Sequence, residues 1–299
     1  MKKLISLLLL LSLCAALAAC GGTMGSAPGA SSAQTNQGNA DYFVWNEWEP
    51  TKIDGCTEEG AKQSVLVIPA SCTGFTGAVF KGNDTVKEVV FEGDNTELTV
   101  SLFSDCVALE TVTLPKNCTE IPIGCFANCS SLKEIEIPDS VTSIAWNAFT
   151  FCESLTSVTF GNSVTKIGSF AFSQCSNLRQ AIFPDALTVI DISAFEECTA
   201  LASVTFGTGL TEICDYAFSN CDALQEVRLP ESLTTLGTSA ISFCDSLTAI
   251  YLPASLTTVK IDSIEQSHAT TIYVKEGSLA DTELFDRLNY AGNFEKRYY

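Results

Sequence analysis

One spacing governs this chain, and it is 23 residues. Cysteine recurs at 106, 129, 152, 175, 198, 221 and 244. Phenylalanine recurs at 80, 103, 126, 149, 172, 195 and 218, and Ile241 and Ile264 continue the column. Leucine repeats at 109, 132, 155, 178, 201, 224 and 247, and threonine at 96, 119, 142, 165, 188, 211, 234 and 257. Four columns in phase, without insertion over about 180 residues, restrict the fold to a solenoid in which each repeat is one structural unit.

The unit Leu132–Cys152 shows how a repeat works. Alternation in its first segment turns Ile135 and Ile137 inward and Glu134 and Glu136 outward, which predicts a short strand. Pro138 stops that strand, because proline has no N–H for the ladder. Pro69, Pro115, Pro184, Pro230 and Pro253 hold the same slot, and Gly161 and Gly207 replace proline there. Val141-Thr142-x-Ile144 reads as a second extended piece; Ala148-Phe149 then inserts its ring between coils, and Cys152 closes the turn. A single unit cannot cover its own apolar side, whereas a stack buries a continuous column. Nine coils spaced by about 4.8 Å form a rod on the order of 43 Å long.

The pattern Leu-x-x-Val-x-Leu-Pro-x-Ser-Leu-Thr-x-Ile-x-x-x-Ala-Phe-x-x-Cys resembles the leucine-rich repeats of the BspA-like family of bacterial surface proteins. The likeness runs from about Gln63 to Ala269 and is strongest in Leu132–Ser154 and Leu155–Asn177; Ile53-Asp54-Gly55-Cys56 and Val65–Pro69 resemble the family's lead-in to the solenoid. It implies a mostly β solenoid of 23-residue coils and an association with adhesion to matrix proteins or cells, and it transfers no catalytic residue. The chain departs from the commonest leucine-rich repeat at the eighth position, where Asn117, Ser140, Ser163, Ala186, Gly209, Ser232 and Ser255 stand, so the usual asparagine ladder is missing.

Outside the repeats the chain divides further. Residues 1–19 read as an export signal, with basic Lys2 and Lys3 and an apolar run from Leu4 to Leu13. Leu17-Ala18-Ala19-Cys20-Gly21 resembles a bacterial lipobox, which implies cleavage before Cys20 and a lipid on its sulfur. Residues 20–40, rich in Gly, Ser, Ala, Gln and Asn, read as a flexible tether. Residues 41–62, with Tyr42, Phe43, Trp45 and Trp48, are expected to cap the first coil of a solenoid spanning 63–269. Residues 270–299 are expected to form the second cap: a last strand at Ile272-Tyr273-Val274, then a short helix opened by a Ser278–Asp281 capping box, with Leu284, Phe285 and Leu288 on its apolar face and Gly292 at its end.

The composition argues against several functions. The formal net charge is −19, and loss of Lys2 and Lys3 with the signal would make it −21, so nucleic acid is a poor partner. The single histidine, His268, lies in the decaying coil. There is no phosphate loop, no Cys-x-x-Cys and no calcium loop, and Cys125-x3-Cys129 and Cys214-x6-Cys221 are weak metal pairs. We therefore expect no enzyme activity, no cofactor and no metal. Export favours disulfides, and neighbouring coils bring equivalent residues within disulfide reach. Seven ladder cysteines cannot all pair with neighbours, however, and buried free thiols suit a slot for a small apolar side chain.

Outward positions on the first strands are the candidate contact surface. Most are small or polar, and Glu136, Ile182, Arg228 and Tyr251 are the residues we single out there. Before the Ala-Phe step, Trp146, Phe170 and Tyr216 occupy slots that are polar or small in other repeats. The sequence thus reads as a lipid-anchored binding protein on the extracellular face of a bacterial envelope, with protein or glycan partners and no membrane contact beyond the anchor. A structural envelope protein without a soluble ligand is the alternative.

Overall fold

A computed structural model of the protein describes residues 40–260, 263–264, 271–285 and 294–299. Cys20, the signal and the tether up to residue 39, together with His268, Leu288 and Gly292, lie outside the described residues.

Each 23-residue repeat makes one coil of a mostly β, parallel-strand solenoid. A coil contains a first strand, such as Glu134–Glu136, a second strand, such as Ser143–Ile144, and a return turn over residues 146–151. Pairing between coils is parallel with a step of one repeat: Ser157 lies opposite Glu134 and Lys166 opposite Ser143. The second strands, from Glu120–Ile121 to Thr258–Val259, form one continuous seven-stranded sheet.

The interior is a set of ladders. Seven phenylalanines, from Phe80 to Phe218, stack ring on ring, with successive centroids 5.0–5.5 Å apart. Each buried ring is worth roughly 1.5–3 kcal/mol, so this column carries much of the stability. The Phe149 carbonyl accepts the Cys152 N–H at 3.2 Å within its coil and the Cys175 thiol at 3.3 Å from the next. The same thiol bond recurs from Cys106 to Cys244. Cysteine thus suits this slot as a small apolar group that still donates to a buried carbonyl. Threonine replaces the missing asparagine ladder: in Thr188 both the N–H, at 2.9 Å, and the hydroxyl, at 3.0 Å, donate to the Thr165 carbonyl. Ser232 and Ser255, at the eighth position, donate their hydroxyls to the carbonyls of Leu210 and Leu233.

The return turn has an alternating backbone that sequence periodicity does not reveal. Ala148, Thr150 and Cys152 donate three residues back within the turn, whereas Asn147, Phe149 and Phe151 donate to Ser169, Ala171 and Ser173 of the next coil. Aiming those N–H groups along the axis puts two residues per coil in the left-handed region. One column is Ser101, Gly124, Asn147, Phe170, Ser193, Tyr216 and Ser239, and the other is Asp105, Asn128, Phe151, Gln174, Glu197, Asn220 and Phe243. Small and polar residues tolerate this conformation, whereas an L-residue with a bulky side chain bears a cost of roughly 1–2 kcal/mol.

The first strands do not form one long sheet. They split into four, with breaks after Thr111–Thr113, Ser157–Thr159 and Ser203–Thr205. The two isolated pairs are those in which glycine follows proline in the stop column. A Cβ on Gly161 would lie 2.3 Å from the Pro138 carbonyl oxygen, and one on Gly207 would lie 2.3 Å from that of Pro184. The coils of each pair are also tied by Asp139, which accepts from the Asn162 N–H, and by Asp185, which accepts from the Thr208 N–H. The outward surface is therefore a series of short sheets, with a cleft at the first break.

The ends differ from expectation in detail. Phe43 is buried edge-on to Phe80, but Trp48 is 89% exposed and covers nothing. At the other end the capping-box residues do meet the backbone: the Ser278 hydroxyl accepts the Asp281 N–H, and the Asp281 carboxylate accepts the Gly277 N–H. The helix they open is a π-wound segment, Ala280–Leu284. The chain then adds a strand that we had not expected, Glu295–Tyr298, parallel to Thr271–Val274. It leaves a charged edge, Glu295-Lys296-Arg297, of the kind that discourages pairing with another chain.

Candidate partner-binding surfaces

The residues singled out from the sequence fall on two different parts of the coil. Glu136, Ile182, Arg228 and Tyr251 belong to first strands, and Trp146, Phe170 and Tyr216 belong to return turns.

On the first-strand side, Glu136 borders a cleft of about 450 Å³ with Thr113, Leu114, Lys116, Pro138 and Asp139, at the first break between sheets. Ile182 is 59% exposed. Arg228 and Tyr251 form part of a larger arrangement, because strand register sets Arg228, Tyr251, Tyr273 and Arg297 side by side. The Arg228 guanidinium lies 3.6 Å from the centre of the Tyr251 ring, and Tyr251 and Tyr273 stack at 4.3 Å. Tyr299 packs edge-on against Tyr251 and donates its hydroxyl to the Leu252 carbonyl. Arg228 is also paired with Glu226, and Arg297 with Glu295. Sequence reading missed Tyr273, Arg297 and Tyr299 as members of this row. Tyr273 follows Tyr251 at a step of 22 residues, one short of the repeat, and Arg297 lies on the unexpected strand. With both faces of the Tyr251 ring covered, this row offers a partner ring edges, hydroxyls and guanidinium groups.

On the return-turn side, Trp146 is not isolated. Val100, Ile123 and Ile192 hold the same position in other coils, and together with Tyr216 these residues are between 41% and 53% exposed. Phe170 is half-buried. Phe170 and Tyr216 sit one residue further along, in the left-handed column, at φ 56° and 60°. Small residues form the floor beside Trp146: a cleft of about 450 Å³ is lined by Ile123, Ala145, Trp146, Gly168, Lys166 and Asp191, among others. A Cβ on Gly168 would come within 2.9 Å of the Ala145 carbonyl carbon, so the floor depends on glycine. Lys166 and Asp191 are paired at 2.9 Å. Burial pushes the Asp191 carboxyl up, but Lys166 and the Ile192 N–H outweigh it and hold the group below the usual carboxylate range.

Among the described residues, no group of three His, Cys, Asp or Glu side chains is placed to hold a metal. Burial pushes the ladder thiols well up, Cys106 and Cys244 to about 12. Half-buried Cys214 is raised to about 12 by burial and by Glu212 and Asp191, so it is a protonated, poor nucleophile.

The sequence pattern of the BspA-type leucine-rich repeat region, in six copies, matches residues 56–179 and 165–289. No curated protein matches the sequence. Among solved structures, a leucine-rich repeat protein from Eubacterium ventriosum is 23% identical with a TM-score of 0.50, and the alignment covers 62% of this chain and 59% of that one. The chain thus spans less than two thirds of that relative, and at this identity the likeness concerns the fold. A leucine-rich cell surface protein from Faecalibacterium prausnitzii is 22% identical with a TM-score of 0.46, covering 85% of this chain and 92% of that one. The pneumococcal vaccine antigen PcpA is 16% identical with a TM-score of 0.44, covering 84% and 83%.

Proposed function

The chain belongs to the BspA-type leucine-rich repeat family, and from that premise we propose that it is a surface-anchored binding protein that recognises protein or glycan partners through the side of its solenoid. The observation that carries this reading is the outward row Arg228, Tyr251, Tyr273 and Arg297. Tyrosine and arginine are the usual anchors of recognition surfaces, and here packing within the row limits their freedom before any partner arrives. A rigid rod whose core consists of ladders presents such a row without rearrangement. Export and anchoring rest on residues 1–20: the basic start, the apolar run and the lipobox-like Leu17–Gly21. A lipid on Cys20 holds the protein at a membrane, with the uncharged residues 20–40 between the anchor and the solenoid.

Two experiments test this reading. Binding of the protein to a panel of matrix proteins, glycans and whole cells should show a saturable partner, and Arg228→Ala with Tyr251→Ala should weaken it at least tenfold. Binding to nothing in the panel would favour a purely structural envelope role. For the anchor, Cys20→Ala should move the protein from the lipid fraction to the soluble fraction; if it stays with lipid, the anchoring reading is wrong.

A further inference from the structure

We infer that the return-turn flank, from Val100 through Ile123, Trp146, Phe170 and Ile192 to Tyr216, is a second docking site, and that its occupant is a cationic amphipathic helix of about sixteen residues contributed by a protein partner. The proposal extends the binding reading to a different side of the coil and does not depend on the Arg228–Arg297 row.

Four observations carry it. First, the apolar residues are aligned: one from each of six successive coils, so the stripe runs about 24 Å along the axis. An α-helix that long has about sixteen residues, and its 5.4 Å pitch is close to the coil spacing, so one apolar side chain per turn can meet one coil after another. Second, the backbone here is already satisfied. Phe149, Phe151, Phe170 and Tyr216 donate their N–H groups to Ala171, Ser173, Ile192 and Thr238 of the following coil, and the adjoining second strands are paired through the sheet. An extended peptide laid on this flank finds no open ladder to join, so the partner must bring a backbone bonded within itself. Third, the borders are acidic. Glu97, Glu120 and Glu197 are exposed beside the stripe, while Lys166 and Lys260 are engaged by Asp191 and Asp215 at 2.9 Å. Cationic side chains flanking the helix's apolar face complement this arrangement. Fourth, Phe170 and Tyr216 occupy left-handed positions that serine, glycine and asparagine fill in the other coils. Bulky rings at an unfavourable backbone position point to selection for the side chain rather than for the fold.

The test uses the full-length protein with Trp45→Phe and Trp48→Phe, so that Trp146 is the only tryptophan. The probe is a labelled 16-residue peptide of leucine and lysine with one leucine face. We expect saturable binding and a blue shift of Trp146 emission. Scrambling the peptide to destroy its face, or exchanging its lysines for glutamates, should weaken binding at least tenfold. The double variant Phe170→Asn/Tyr216→Asn should weaken it at least tenfold while keeping a cooperative melt, because asparagine tolerates the left-handed region. Ile123→Lys, which places a cation in the exposed stripe, should do the same. Equal binding of the scrambled peptide, indifference to both groove variants, a Trp146 shift produced by glycans rather than the helix, or self-association that the groove variants abolish would each overturn the proposal. Loss of peptide binding only in Ile182→Thr or Tyr251→Thr would also overturn it and leave the first-strand reading intact.

Discussion

The ring of Phe149 lies face to face with that of Phe172, with centroids 5.0 Å apart and planes 7° from parallel. Coil spacing dictates this contact, because equivalent residues of parallel strands sit about 4.8 Å apart. Each ring thus fills the gap between two coils and touches a ring above and below. Phe149→Ala should open a cavity in the middle of the column and cost about 3–5 kcal/mol. Urea unfolding monitored by circular dichroism measures this, and a cost below about 1 kcal/mol would show that the stack is not central to stability.

Glycine should be needed only where coils approach closely. Gly161→Ala drives a methyl group against the Pro138 carbonyl oxygen, 2.3 Å from the ideal Cβ, whereas Gly55→Ala meets nothing within 4 Å. We expect the first to cost about 2 kcal/mol or more and the second to lie within about 0.5 kcal/mol of the parent. Paired thermal melts of the two variants decide between a steric role and a general intolerance of alanine.

The cysteine ladder makes stability depend on alkaline pH. Burial raises the folded-state values of Cys106 and Cys244 from 9.0 to about 12, and it also pushes those of Cys129, Cys175 and Cys221 well above the ordinary thiol value. The unfolded chain therefore releases these protons first, so stability is complete below about pH 9 and falls as pH rises from there toward the folded values. Melting temperature against pH should drop steeply above pH 9. Cys152→Ser with Cys175→Ser should make the drop shallower, because serine does not titrate there.

The threonine column should behave as a set of small, separable bonds. Thr188→Val keeps the N–H bond to the Thr165 carbonyl and loses the hydroxyl bond at 3.0 Å. Its expected cost is about 0.5–1 kcal/mol, and Thr188→Ser should recover most of it. Chemical denaturation of the two variants checks this directly.

Much of this molecule follows from its repeat. A strict 23-residue period with no insertion gives every coil the same environment, so Phe149, Leu132 and Cys152 must face inward together and Glu134 and Glu136 outward, as they do. The inward columns, the parallel pairing and the Ser278–Asp281 contact could therefore be anticipated from residue type and spacing. The C-terminal strand Glu295–Tyr298 could not, because its step from Thr271–Val274 departs from the period and its residues carry no apolar alternation. The candidate partner surfaces were only half legible. Trp146, Phe170 and Tyr216 stood out as exceptions in their columns, but Val100, Ile123 and Ile192 are ordinary apolar residues until the coil turns them outward. Tyr251 and Tyr273 came into contact through a coil of 22 residues. The sequence thus determined which residues repeat and which are buried, because burial follows from period and polarity. The tertiary structure decided which outward residues adjoin one another, because that depends on the direction of each N–H along the axis, on left-handed turns, and on steps that depart from the repeat.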